Sequence, residues 1–381
     1  MKIIHMADSH LGFSAYSRVD RNGRNLVEEM FYTGFEQAVD KIIELKPDAV
    51  VHAGDVFHHV RPRIRPLYIF KKGLEKLEEA GIPIIIISGN HDAPKGYAGT
   101  SPFVIYEGTK GVNIARKYQY ERFEIGDHFF HCIPFCLDPQ EYMEEFGRIE
   151  MSGRDVLVMH GLIESLSNKK LRTVGEHELK DSLLKRDFDY IALGHYHAQA
   201  RIAENAWYSG SIEYFNFGEA ADDKGMLLVD LEKGEAEPVC IRPKYMIDYP
   251  AVDCSGLSSE EIAEELMSIC GDGAIEGKIA RINLINVNKV AYRNISQIRL
   301  NKVSASAIYL KIKVEYADEK ECHSEPVDSL NLHKEFIRFL EDEAVRNAIP
   351  GMIKDDVTIY GTALIKKVTA AHNTEVLNAP E

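Results

Sequence analysis

Cysteine is scarce and scattered, with six residues in a chain of 381. The close pair Cys132 and Cys136 lacks zinc-site partners, so neither a disulfide framework nor a thiolate zinc module is expected, and the thiols read as reduced core residues. The sequon Asn294-Ile295-Ser296 is then only nominal. No apolar run approaches the ~18 residues of a membrane span, and the first residues enter a strand-like run instead of a signal peptide. A cytoplasmic protein without membrane attachment is expected. Internal repeats, low-complexity segments and long linkers are also missing. Positive charge is in deficit, with 45 Lys and Arg against 60 Asp and Glu, which on net charge alone argues against a nucleic-acid partner. What remains is a chain that is 45% hydrophobic, long enough for two domains or more and for a sizeable core.

Five apolar runs each end in a cluster of metal-type side chains. Ile3–Ala7 leads into Asp8-Ser9-His10, and Ala49–Ala53 into Gly54-Asp55. Ile84–Ser88 leads into Gly89-Asn90-His91-Asp92, Val156–Met159 into His160-Gly161, and Tyr190–Leu193 into Gly194-His195-Tyr196-His197. Short β-branched runs bounded by Gly and polar residues read as buried strands. Such strands deliver their loops to one sheet edge, where residues distant in sequence can meet. The loops supply carboxylates, an amide oxygen and imidazoles, a mixed oxygen and nitrogen set suited to Mn, Fe or Zn. Any one of these clusters is common alone; five in this order, each at a strand end, point to an assembled site.

The set resembles the calcineurin-like metallophosphoesterases, whose two-metal sites are built from DxH, GDxx, GNHD/E, H and GHxH. All five motifs are complete, and the resemblance covers roughly the first two thirds of the chain. It implies an α/β fold, a four-layered α/β/β/α sandwich, and two cations bridged by Asp55. Asp8, His10 and His197 would complete the first cation's ligands, and Asn90, His160 and His195 the second's. Two cations about 3.5–4 Å apart stabilise both attacking and leaving oxygens of a phosphodiester and make a nucleophile from water near neutral pH. His91 is by resemblance no ligand; it would orient the phosphate or protonate the departing sugar oxygen, a task suited to imidazole.

Residues around the motifs narrow the resemblance. Val56-Phe57-His58 and Ser88 stand where Ser/Thr phosphatases carry the Arg residues that clamp a monoester. Asp8–Gly12, Gly54–His58 with Arg61-Pro62, the segment Tyr208-Ser209-Gly210-Ser211-Ile212-Glu213 and Phe217-Gly218-Glu219 are similar to the nuclease subunits of double-strand-break repair complexes, the SbcD-type nucleases. Ser209 replaces a Pro usual there, which should change loop stiffness and not chemistry. The resemblance implies a Mn²⁺-dependent phosphodiesterase with two Mn²⁺ per chain, acting on DNA as a 3′-to-5′ exonuclease and single-strand endonuclease. It also implies an SMC-like coiled-coil ABC-type ATPase partner, and His58 as a second active-site imidazole.

Charge distribution qualifies the acidic balance. From Lys278 to Lys313 there are eight Lys and Arg and no Asp or Glu. Lys289, Arg293, Arg299 and Lys302, interleaved with Asn residues and Tyr292, suit phosphate and sugar contacts; the alternative is a solvated strand-and-loop face. Arg61, Arg63 and Arg65 form a second basic cluster beside the Asp55 loop.

The helical spacing of Leu26–Leu45 and Leu67–Ala80 alternates with the first motif strands. Phe123–Pro134 and Gly225–Arg242 read as hairpins, placing a nuclease domain at 1–245. A small α+β capping, DNA-binding domain follows at 246–325, with Tyr249–Cys254 strand-like and a capping box at Ser258–Glu261. Residues 326–381 carry amphipathic helical patterns around Leu332–Val345 and Val357–Val368, which either pack on the cap or dock on the ATPase partner. Leu67, Phe70, Phe103, Ile105 and Tyr106 are either helix core or, by resemblance, the seam of a homodimer. Two readings compete with a nuclease: a small-molecule phosphoesterase, which has no use for a basic cap, and a non-catalytic scaffold, which would tolerate loss of His91.

Overall fold

The five apolar motif runs form strands, but they are divided between two sheets. In the computed structural model, which describes residues 1–166, 178–271, 273–317, 336 and 360–365, the first sheet has six strands. Their order is Glu235–Cys240, Gly225–Asp230, Lys2–Met6, Ala49–His52, Ile84–Ile87 and Val112–Ala115. The second runs Ala200–Arg201, Ala206–Tyr208, Tyr190–Gly194, Asp155–His160, His128–Ile133 and Glu121–Ile125. Motif strands lie at the centre of each sheet and pair in parallel, Ile3 opposite Ala49 and Tyr190 opposite Val156. The two sequence-predicted hairpins supply antiparallel strands.

Burial on both faces explains the unbroken apolar runs. Along Ile84–Ile87, Ile84 and Ile86 face the helices, while Ile85 and Ile87 face the other sheet among Val51, Phe130, Val158 and Ala192. Helix Leu26–Leu45 is capped by Asn25, whose side chain accepts from the N–H groups of Val27 and Glu28, and it buries Phe31, Phe35, Ala38 and Ile42 at helical spacing. Its neighbour spans Ile64–Glu79. That helix starts earlier than its apolar spacing suggests, because Pro66 fits the first turn, where a missing N–H costs nothing. The outer face of the second sheet is covered by helix Pro139–Gly147, with an Asp138/Glu141 capping box, and by the short turn Asp181–Lys185. The layers are thus α/β/β/α.

Beyond the sandwich, Ile279–Val287 and Tyr309–Tyr316 form a parallel pair, flanked by the short strands Met246–Asp248 and Val252–Asp253. Pro250 separates these two short strands, where a single one was expected. Helix Ser259–Cys270 begins with the expected capping box. Between the two parallel strands, where no helix was expected, the basic stretch holds two, Lys289–Arg293 and Gln297–Ser304. Parallel neighbours need a crossover, and these helices provide it.

This small α+β layer is fastened to the sandwich. Tyr16 stacks on Tyr309 with ring centres 3.8 Å apart, Arg18 donates to the Ala305 carbonyl at 3.0 Å, and the Arg281 guanidinium lies 4.9 Å from the centre of the Phe217 ring. Residues Met1–Ala317 form one compact unit and Asp318–Glu381 a second. In the second, Phe336 and 360–365 are helical; the rest of the two C-terminal patterns lies outside the described residues.

Candidate metal centre

The Asp8 and Asp55 loops continue the parallel ladder beyond their strands. Asp8 N donates to Gly54 O, His10 N to Asp55 O and Leu11 N to Val56 O, at 2.8 to 3.0 Å. Within that ladder Asp8, His10 and Asp55 adopt left-handed backbone, with φ of 52°, 40° and 55°. This conformation, costly for residues with a Cβ, departs from strand geometry where the metal-type side chains converge. Glycine is required beside them for space. A Cβ on Gly54, whose φ is +95°, would stand 2.4 Å from His160 Nδ1, and one on Gly89 would stand 2.2 Å from Asp55 Oδ1.

Donor atoms within 4.8 Å of one another form three groups among the described residues: Asp8, His10 and His197; Asp55, His160 and His195; and, sharing His10 with the first, His10, His58 and His91. Asn90 joins the second, its Oδ1 lying 3.0 Å from His160 Nε2 and 3.1 Å from His195 Nδ1. Asp55 Oδ2 lies between the first two groups, 3.5 Å from His10 Nε2 and 3.4 Å from His160 Nε2. All seven sequence-predicted ligand residues therefore meet. His10 Nε2 is buried and has no hydrogen-bond partner among the described residues, although a buried polar atom is rarely left unpaired. A lone pair so placed, beside the Asp8 and Asp55 carboxylates, fits a divalent cation.

Electrostatics agree with that reading. Burial holds the His10 imidazole well below its ordinary pKa despite Asp55, aided by His197, His91 and His58, so it is neutral, as a ligand must be. Burial by itself would raise Asp55, but His160, His10 and His91 outweigh it and keep the carboxyl well below its usual range. His160 feels the converse: burial disfavours its charge, Asp55 prevails, and it is raised to about 9, so a cation bound there would have to displace its proton. His160 is oriented by Nδ1 donating to Ala53 O at 2.8 Å.

His91 and His58 stand over the first group. Their rings stack with centres 5.2 Å apart, and His91 Nδ1 donates to His58 O at 2.9 Å. His91 N donates to Asp55 Oδ1 at 2.8 Å, and His58 Nδ1 is 3.3 Å from His10 Nδ1. Burial and the neighbours His91 and His59 lower His58 to about 4. His91 opens onto a cleft of about 450 Å³, lined also by Asp55, Asn90, His197, Asn216 and Glu219.

The basic residues lie elsewhere. Arg61 lines a separate cavity of about 590 Å³ with Lys95 and Tyr97, and Arg63 is exposed at the start of helix Ile64–Glu79. Arg65 is inside that helix, its charge shared with both oxygens of Glu29. Lys289, Arg293 and Lys302 are exposed on the crossover helices, while Arg299 pairs with Glu260 at 3.2 Å.

Several supporting residues escaped the sequence reading. Asp92, fully buried, accepts from Val56 N, Phe57 N and Gly89 N at 2.9, 2.8 and 3.2 Å and ties the Asp55 loop to the Asn90 loop. Its position as fourth letter of GNHD was the available signal. Ser9 Oγ meets His52 Nε2 at 2.8 Å beneath the site. His5 spans the sheets, Nδ1 to Tyr190 Oη at 2.9 Å and Nε2 to Leu193 O at 3.2 Å; nothing in the sequence distinguished it from an apolar strand position.

A double sheet with these loops at one edge defines a metallophosphoesterase, and the calcineurin-like phosphoesterase family matches residues 1–199. The chain belongs to that family, and the matched stretch contains all five motifs. It is 31% identical over 247 residues to the DNA double-strand break repair protein Mre11 of Methanococcus maripaludis, covering 61% of this chain and 63% of that protein. Against the protein of the same name from Methanocaldococcus jannaschii it is 29% identical over 260 residues, covering 62% and 64%. A subunit of the nuclease SbcCD of Staphylococcus epidermidis is 30% identical over 266 residues, covering 62% and 67%. The match thus spans under two thirds of the two archaeal relatives' length.

Proposed function

We propose that the chain is a two-metal DNA nuclease that processes DNA ends in double-strand-break repair. The observation that carries this reading is the convergence of seven metal-type side chains from five loops, with Asp55 between two donor groups and His91 above them. Asp8, His10 and His197 would hold one cation, Asn90, His160 and His195 the other, and Asp55 both; Mn²⁺ is the proposed metal. When bound, the cations would neutralise phosphate charge and supply a nucleophile from water near neutral pH.

The rest falls to this chain's own groups. Because His91 Nδ1 donates to a carbonyl, Nε2 is the atom that exchanges a proton; the protonated ring donates from Nε2 to the departing sugar oxygen, and His58 stacks against it to fix its plane. Val56-Phe57-His58 and Ser88 in place of arginine clamps favour a diester over a monoester. Phosphates of the strand would meet Arg61 and Arg63, a few residues past the Asp55 loop in sequence, and Lys289, Arg293, Arg299 and Lys302 on the cap; Arg65, engaged by Glu29, is the weakest candidate of the set. The names of the relatives, a double-strand break repair protein and a nuclease subunit, support a nuclease role in break repair; the 3′-to-5′ exonuclease and single-strand endonuclease activities and the SMC-like ABC-type ATPase partner are proposed from the motif resemblance.

Purified protein should cleave single-stranded DNA and bis-p-nitrophenyl phosphate with Mn²⁺ and neither in chelator. Asp55→Ala should lose both cations and all activity, whereas His91→Ala should keep both and cleave poorly. Undiminished cleavage by Asp55→Ala would overturn the two-metal assignment. Hydrolysis of the small diester without any on DNA would favour a small-molecule phosphoesterase.

A further inference from the structure

His197 has a support that the ligand motifs do not contain. Its Nδ1 is 3.1 Å from Glu219 Oε1, and a carboxylate only accepts, so Nδ1 carries the hydrogen and Nε2 keeps its lone pair for the donor group with Asp8 and His10. The other oxygen of the same carboxylate, Oε2, receives the Lys224 ammonium at 2.8 Å. That ammonium, its side chain 4% exposed, also donates to the His197 carbonyl at 2.9 Å and to Ser211 Oγ at 3.0 Å. Ser211 N in turn donates to the same His197 carbonyl at 3.0 Å. One lysine therefore holds His197 at both ends, its backbone directly and its ring through Glu219. Asn216 Nδ2 donates to Glu219 Oε1 at 3.2 Å and leaves that carboxylate little freedom.

We infer that Glu219 and Lys224 are positioning residues for the cation held by His197: Glu219 sets the tautomer and plane of the ring, and Lys224 fixes Glu219 and offsets its buried charge. The inference rests on the proposed two-cation reading. A ligating imidazole held by a carboxylate is a more basic and better aimed donor, and loss of such a partner typically weakens metal affinity 10–100-fold. The bland alternative is a buried ion pair that only packs the segment 216–224 against the sandwich. Such a pair would affect stability without distinguishing one cation from the other.

The two are separated by titrating Mn²⁺ into the metal-free full chain and its variants by calorimetry, with urea melts of the same metal-free samples. Glu219→Gln, nearly isosteric, should weaken one of two binding events about 10–100-fold and leave the other within about twofold. Lys224→Met should weaken the same event. Because part of the lysine's effect passes through Glu219, the loss in the double variant should be less than the sum of the two single losses. Unaltered isotherms in both single variants, equal weakening of both events, or additive losses would overturn the inference. A wild-type chain that takes up a single cation would overturn the two-cation reading instead; the inference would then stand if Glu219→Gln weakens that cation and fall if it does not.

Discussion

Removing the Asp92 carboxylate should both destabilise the fold and loosen the site. Its oxygens divide their work: Oδ2 accepts from Val56 N at 2.9 Å and Gly89 N at 3.2 Å, and Oδ1 from Phe57 N at 2.8 Å. Burial, reinforced by the nearby Asp55 charge, pushes this carboxyl well above its usual range against the pull of those three donors, so it sits there at a cost and stays because the loops need an acceptor. Asp92→Ala leaves the donors without one in a place that water does not reach, at roughly 1–3 kcal/mol for each unpaired group. With the 3.2 Å contact counted as weak, the loss should be about 3–5 kcal/mol. Asp92→Asn can turn its amide oxygen to Val56 and Gly89 and strands only Phe57, a loss of about 1–3 kcal/mol. Urea melts of the metal-free protein measure this apart from any cation. At a slope of about 1–3 kcal/mol per molar, the alanine midpoint should fall by roughly 1–5 M, with asparagine between it and wild type. An alanine variant within about 1 kcal/mol of wild type, or asparagine worse than alanine, would show that water or backbone relaxation satisfies the loop and that Asp92 is not its tie.

Three further outcomes are expected. Burial lowers His5 to about 3, so below pH 6.5 the unfolded chain takes up a proton that the folded chain refuses. The His5 contribution is then complete above pH 6.5 and lost as pH falls towards 3, and His5→Gln should flatten the stability slope in that window by at most about 1.4 kcal/mol per pH unit; an unchanged slope in urea melts counts against a neutral buried imidazole. Lys289→Ala, Arg293→Ala and Lys302→Ala should each make the log-affinity against log-salt slope for DNA shallower by about one unit, and Arg299→Ala by less because Glu260 holds it, while bis-p-nitrophenyl phosphate hydrolysis survives. For self-association the structure redirects the sequence reading: Phe70, Phe103 and Tyr106 are core, whereas Ile64, Tyr68 and Ile105 are 85%, 55% and 59% exposed. If these form a two-fold seam, Ile64→Asp with Ile105→Asp should halve the mass seen by light scattering, and a wild-type monomer at micromolar concentration would rule the seam out.

Legibility in the sequence followed the range over which each signal acts. The motif strands were readable because burial on both faces leaves an unbroken β-branched run, and helix Leu26–Leu45 because its apolar spacing and its cap are local. The loops that meet were readable because each carries its own dense set of unusual residues. Division of the motif strands into two sheets was not visible in any single run; it depends on which runs pair, as Ile3 with Ala49 and Tyr190 with Val156. Helices Lys289–Arg293 and Gln297–Ser304 were missed because the basic residues drew attention to charge, while the determinant was the parallel pairing of Ile279–Val287 with Tyr309–Tyr316. Lys224 and His5 carry no local mark: each matters through a partner 5 or 185 residues away.

Four of the seven proposed ligands are held in backbone conformations that residues with a Cβ avoid: Asp8, His10 and Asp55, and His195 at φ 100°. Each costs of order 1–3 kcal/mol, and four together rival the ~5–15 kcal/mol net stability of a whole domain. Such strain persists only where the surroundings over-determine it, and here the ties are specific. Asp8 and His10 are pinned by the ladder to Gly54 and Asp55, and His195 N by both oxygens of the Asp8 carboxylate at 3.1 and 3.0 Å. The Asp55 loop is pinned through Asp92. Each strained residue is thus secured by another motif loop, and the inter-sheet core anchors them all at their strand ends. A substitution in one loop should therefore be felt in the others, which gives a physical reason for five short motifs to be complete together in one chain.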